Sequence, residues 1–155
     1  MKNEQGFSLI ELLIVVAIIA IIAAIAVPSL LTSRMAANEA GGIEGCRTAG
    51  SAEVAYAATN NQQYGLIATL VTGNYLDSRY TAGFNGYTYT EGVDITNAPA
   101  NTATVPTGFA ITGNPVAGVA RFTYGIGVDQ VVRYLATNTG TAPAGLAAGD
   151  GIGKN

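Results

Sequence analysis

An unbroken run of 16 apolar residues, Leu12 to Val27, constrains this 155-residue chain more than any other feature. Upstream, Phe7 to Glu11 adds only Ser8 and Glu11 as polar residues, so the block is 21 residues long. As an α-helix, at ~1.5 Å per residue, it spans roughly 31 Å, the thickness of a bilayer's hydrocarbon core. No glycine falls between Phe7 and Asn38, and Pro28 closes the apolar run. Three readings fit such a block: a plain membrane anchor, a secretory signal peptide, or a membrane helix that also serves as an assembly interface.

The signal-peptide reading has a cleavage-like site in Ala24-Ile25-Ala26 but a thin charged start, because Lys2 is the sole basic side chain before the block and Glu4 offsets it. Its apolar stretch also exceeds the usual ~7–15 residues. The plain anchor leaves Glu11 to be explained. An acid at a membrane helix centre costs ~2.5–3.5 kcal/mol on insertion scales, less near a helix end. There the helix dipole favours a negative charge. The third reading makes Glu11 an acid that waits for a positive charge from another chain.

The stretch Lys2 to Leu31, "KNEQGFSLIELLIVVAIIAIIAAIAVPSLL", resembles the N-terminus of type IV pilins and the related pseudopilins. In that family a short polar leader ends in Gly, the next residue is Phe, an acid follows four residues later, and a long apolar helix with a Pro comes after it. Gly6, Phe7, Glu11 and Pro28 occupy those places. The leader departs from the family in carrying few basic residues. With Lys2 on one side and Arg34 on the other, orientation across the membrane stays open.

The resemblance implies a residue-specific programme. A prepilin peptidase/methyltransferase cuts between Gly6 and Phe7 and N-methylates Phe7. Glu11 then meets the Phe7 amine of a neighbouring subunit, and the pair supports subunit assembly. A buried acid is tolerable when paired and costly when alone. The implied partners are the membrane before assembly, the inner-membrane pilus assembly machinery, and other pilin subunits in a homopolymer. The precursor would reside in the inner (cytoplasmic) membrane. The assembled subunit would be in an extracellular pilus, serving adhesion, motility, DNA uptake or secretion, or in the periplasm for a type II secretion pseudopilin. The chain has no Trp, so it lacks the Trp-containing head motif usual in the major pseudopilins. With one cysteine it also lacks the C-terminal disulfide loop of many pilins. The presence of Glu11 favours a shaft subunit over those tip subunits that lack this acid.

After Pro28 the pattern turns amphipathic. Ile43, Cys46, Gly50, Val54 and Ala57 recur at spacings of three and four, while Glu39, Glu44, Arg47 and Glu53 mostly fall off that stripe. One helix is expected from about Phe7 to about Asn60, kinked or loosened at Pro28. Gly41, Gly42, Gly45 and Gly50 disfavour a helix by about 1 kcal/mol each, and imply either close packing or a second flexible point. A short helix over Leu66 to Val71 ends at Gly73. Strand patterns follow at Gly86–Val93, with Tyr87 and Tyr89 on one face, at Thr107–Thr112, and as two strands within Val119–Leu135 joined near Gly125 to Asp129. There Phe122 pairs in face with Tyr124, and Val132 with Tyr134.

The expected fold is α+β: a long N-terminal helix, membrane-spanning in its first half, packed on a small antiparallel sheet of three to four strands. The expected organisation is a leader at 1–6, an apolar transmembrane or filament-core helix at 7–28, its amphipathic continuation at 29–60, and a globular head at 61–155. Thr96–Gly108 and Ala136–Asn155 read as surface loops with Thr residues open to O-glycosylation.

Charged residues make up 11% of the chain and the net charge is −3, with no basic cluster, so no nucleic-acid contact is expected. There is no His and a single Cys, Cys46, which argues against a transition-metal site, a cofactor-dependent chemistry or a His-based acid–base pair. Cys46 reads as a small buried hydrophobe. Asp77, Glu91, Asp94, Asp129 and Asp150 are too scattered to name calcium ligands. The chain is expected to be a structural subunit and not an enzyme.

Overall fold

The structure, a computed structural model, describes residues 7–91 and 108–135. Asp94, Asp150 and both expected Thr-rich loops except Gly108 lie outside the described residues. Seven elements follow in order: α1 (Leu9–Thr59), α2 (Ile67–Thr72), α3 (Arg79–Ala82), β1 (Tyr87–Glu91), β2 (Ala110–Pro115), β3 (Thr123–Gly127) and β4 (Arg133–Leu135). The chain forms two compact units, Met1–Arg34 and Met35–Asn155, and α1 contributes residues to both. This is the α+β, pilin-like layout of one long helix and a four-stranded antiparallel sheet.

In the first unit, α1 is a bare apolar helix. Every described residue from Phe7 to Arg34 is exposed, including Phe7 at 87%. Pro28 lies inside the helix, which continues on both sides of it.

In the second unit, α1 changes character. Its buried face is Glu39, Gly42, Gly45, Cys46, Ala49, Gly50, Ala52, Glu53 and Ala57, a stripe at helical spacing. Two details differ from the sequence reading. Val54 is 47% exposed and lies off the stripe. Glu39 and Glu53 lie on it, because each carboxylate finds donors within the fold. Glu39 accepts from the Arg121 guanidinium at Nε (3.0 Å) and Nη2 (3.3 Å), and from the Arg121 backbone N–H (3.2 Å). Glu53 accepts from the Gly65 N–H (3.0 Å).

The helix stops where Asn61 and Gln62 adopt left-handed φ values of 53° and 61°. The Gln62 N–H then reaches back to the Ala57 carbonyl (2.9 Å), the closing bond of a Schellman-type C-cap. α2 ends as expected at Gly73, whose N–H donates to the Thr69 carbonyl (2.9 Å).

The sheet is a meander in the order β1-β2-β3-β4, all neighbours antiparallel. Tyr87 sits opposite Pro115 and Tyr89 opposite Gly113; Gly113 in turn sits opposite Tyr124. Alternation along β1 buries Tyr87 and Tyr89 and exposes Thr88 and Thr90, as a period of two requires. The last hairpin is displaced from its expected position. Gly125 and Gly127 are strand residues, and the turn follows them, closed by Gln130 N–H to the Gly127 carbonyl (2.9 Å). Phe122 and Tyr134 meet edge to face at 5.5 Å.

The glycines of α1 explain how helix and sheet approach. A Cβ on Gly42 would lie 2.7 Å from Cε2 of Tyr87, and one on Gly50 would lie 2.7 Å from Cδ1 of Ile126. A Cβ on Gly45 would overlap the Tyr89 hydroxyl. The glycines therefore form the seat for the aromatic face of the sheet, and close packing is their role. The rings Tyr80, Phe84 and Tyr89 close over the same region, with centroids 4.9–5.0 Å apart, and Tyr80 donates from its hydroxyl to the Gly45 carbonyl (2.9 Å). Cys46 is fully buried among them.

Gly45→Ala should lower unfolding stability by ~1–3 kcal/mol, the usual penalty of overpacking. Among the described residues the buried Tyr89 hydroxyl has no hydrogen-bond partner, so Tyr89→Phe should be neutral or stabilising alone and should recover part of the Gly45→Ala loss. Denaturant unfolding of the full chain in detergent, single variants against the double, checks both signs. Burial also pushes the Cys46 thiol up to about 12, so it should resist alkylation at neutral pH in the folded chain and react once unfolded.

Candidate functional site

The sequence concentrates its signal at the start of α1. Glu11 lies in the first turn. Its Oε2 accepts a hydrogen bond from the Ser8 backbone N–H at 2.9 Å, and its own N–H donates to the Ser8 hydroxyl at 3.3 Å. This is a capping box, in which residues three apart satisfy each other's free backbone donors. The sequence reading credits Glu11 with the helix dipole and a partner in trans. The Ser8-x-x-Glu11 spacing is the signal for the local role. Among the described residues the engaged carboxylate oxygen is Oε2. Phe7 precedes the helix and is exposed. Gly6 lies outside the described residues. Pro28 lies on the same helix, beyond the apolar run.

Asp77, Asp129 and Glu91 each accept hydrogen bonds within the fold. Asp77 accepts from the Arg79 backbone N–H (2.8 Å) and Nε (3.0 Å), which hold its carboxyl below the ordinary value. Asp129 pairs with Arg133 one helical-turn spacing later in sequence, and that hydrogen bond pulls Asp129 down and Arg133 up. Glu91 accepts from the Ile67 N–H (2.8 Å). Among the described residues no group of three His, Cys, Asp or Glu side chains could hold a metal ion.

Two concavities flank α1. One, of about 350 Å³, borders Gly41, Glu44 and Thr48 on one side and Asp77, Arg79 and Phe84 on the other. Its charged pair is already internally matched, with Arg79 also lying over the Phe84 ring at 5.1 Å. The second, of about 250 Å³, is apolar and lined by Ile43, Phe122, Tyr124 and Tyr134. Burial pushes the hydroxyls of Tyr80, Tyr87, Tyr89 and Tyr124 above their ordinary value. That is opposite to the activation a nucleophile needs.

Residues 1–27 match the family model described as the prokaryotic N-terminal methylation motif, the type IV prepilin-like signal. A comparison with curated proteins gives no match. The motif marks a type IV pilin- or pseudopilin-type precursor, a family of structural and not catalytic chains. It implies processing by a peptidase and assembly into a pilus-like filament. Together with the apolar start of α1, long enough to cross a membrane, it fits a membrane-anchored precursor.

The capping box supplies a local check. Ser8→Ala removes the acceptor for the Glu11 N–H, a cap worth ~1 kcal/mol. Hydrogen exchange at the Glu11 amide should accelerate about fivefold in micelles, the rate equivalent of that energy. An unchanged rate would remove the capping role.

Proposed function

We propose that this chain is a pilin, a shaft subunit of a type IV pilus-like filament. Cleavage between Gly6 and Phe7 exposes an amine at Phe7, which is N-methylated. Glu11 of one subunit then pairs with the Phe7 amine of the next. The observation that carries this reading is the combination found in the first unit. A helix with every side chain from Phe7 to Arg34 exposed carries a single acid in its apolar block, at the first turn.

The physical logic follows from the two solvents available to such a helix. In lipid the aliphatic side chains are satisfied, while Glu11 relies on its cap and on its position near the helix end. In a bundle of identical helices the aliphatic side chains bury one another, and Glu11 gains a cation in a low-dielectric setting where a matched pair is strong and an unmatched charge is severely penalised. Identical subunits joined through non-identical faces form an open helical filament when the rotation between them does not close a ring. The Gly-Tyr packing of the second unit gives each subunit a rigid head to display outside that bundle. Inner-membrane assembly machinery and the prepilin peptidase/methyltransferase are the other partners this function requires.

Glu11→Ala should leave membrane insertion intact and reduce filament yield by more than about tenfold, since each ~1.4 kcal/mol lost at a contact is a factor of ten. Electron microscopy and sheared-filament yield measure it; normal filaments would defeat the pairing account. Mass spectrometry of surface material should find N-methyl-Phe7 at the N-terminus. A chain beginning at Val27 would establish signal-peptide cleavage instead. The Phe7 end confined to the membrane fraction would identify a type II secretion pseudopilin.

A further inference from the structure

Glu53 is 1% exposed, on the face of α1 that meets the turn leading into α2. Its Oε2 accepts from the Gly65 N–H at 3.0 Å. Two residues on, the Ile67 N–H donates to Oε1 of Glu91 at 2.8 Å. Glu53 comes from the long helix and Glu91 from the end of β1. The two acids therefore hold one turn through backbone donors two residues apart.

Among the described residues no cation is paired with either acid. α2 has no ionisable side chain, and neither has β2. β3 offers only Tyr124. One turn along α1 stands the hydroxyl of Tyr56. Arg79, Arg121 and Arg133 are tied to Asp77, Glu39 and Asp129. Among the described residues no ion pair reaches Glu53 or Glu91. A buried acid without a cation beside it favours its protonated form, and the charge of a second acid nearby adds to that preference.

We propose that Glu53 and Glu91 form a proton-dependent latch on the turn before α2, seated when Glu53 carries a proton and loosened when Glu53 is ionised. The latch regulates how firmly the link from α1 to α2 is held against the rest of the head. Its operating range follows from the carboxyl's surroundings. Burial pushes Glu53 up to about 7; the Gly65 N–H pulls it down, and the charge of Glu91 adds to the rise. Because the folded state holds the proton more tightly than an unfolded chain, the stability it confers is complete below the ordinary carboxylate range. That stability is lost as pH rises through about 7. Above this range an ionised Glu53 gains by reaching water, and the turn must open to let it.

The test uses the full chain in detergent micelles. Amide hydrogen exchange at Gly65 and Ile67 is converted to protection factors, which removes the intrinsic pH dependence of exchange, with Ile126 as a core reference. From about pH 5.5 to about pH 8.5, protection at Gly65 and Ile67 should fall by at least about tenfold while Ile126 holds steady, since each unit of displaced pKa within that window corresponds to a factor of ten. Glu53→Gln imitates the protonated acid and should keep both sites protected throughout. Flat protection in the wild type, or the same fall in Glu53→Gln, would overturn the latch. Carbon-13 titration of the Glu53 carboxyl in the unaltered chain gives a second measure. The midpoint should lie well above the ordinary carboxylate range and move down in Glu91→Gln. An ordinary midpoint, or one indifferent to Glu91, would likewise overturn it.

Discussion

A helix that presents every side chain from Phe7 to Arg34 to its surroundings has to be taken out of water, and the rest of the structure follows from that requirement. Each Å² of aliphatic surface left wet costs about 25 cal/mol, and a contiguous patch this long far exceeds what soluble monomers expose. Lipid meets the requirement for a single subunit, and other copies of the helix meet it for a polymer. Glu11 distinguishes the two settings. Its capping bonds to Ser8 make it tolerable in either, whereas the proposed pairing with a cation on another chain is open only to the polymer.

The head meets a different requirement, to be compact with little charge and no disulfide. It does so by pressing a sheet of aromatic side chains onto a helix stripped of side chains. Gly42, Gly45 and Gly50 sacrifice helix propensity, about 1 kcal/mol each. The space they leave is filled by Tyr87, Tyr89 and Ile126, each worth about 1.5–3 kcal/mol when buried, by the usual transfer scale. The ion pair from Glu39 to Arg121 and the bond from Tyr80 to the Gly45 carbonyl fix the register of that contact. Such a head can be rigid while its surface remains neutral and polar.

Much of this was legible in the residues. The apolar run, the acid at its mouth and the period-two alternation of Tyr87 and Tyr89 are local patterns, and local patterns survive into structure. So does the stop of α2 at Gly73. The glycines were ambiguous, because their meaning depends on rings that lie 40 or more residues away in sequence. The burial of Glu39 and Glu53 was hidden because their donors, Arg121 and Gly65, lie outside the helix, and helical spacing alone assigns a carboxylate to the wet side. The final hairpin shifted because Gly125 and Gly127 look like turn residues yet serve as strand residues, leaving the reversal to Val128–Gln130. The Ser8-Glu11 box was readable from its spacing, but the stronger pull of Glu11 toward a partner in trans obscures it.

The central claim is that Glu11 meets the amine of Phe7 on a neighbouring subunit. It is tested most directly by solid-state NMR on filaments assembled from two differently labelled pools. One pool carries nitrogen-15 at the Phe7 amine and the other carbon-13 at the Glu11 carboxyl. The account predicts a dipolar coupling between the pools, at the N···O separation of about 4 Å or less that defines an ion pair. Filaments that show no coupling between the pools would contradict it.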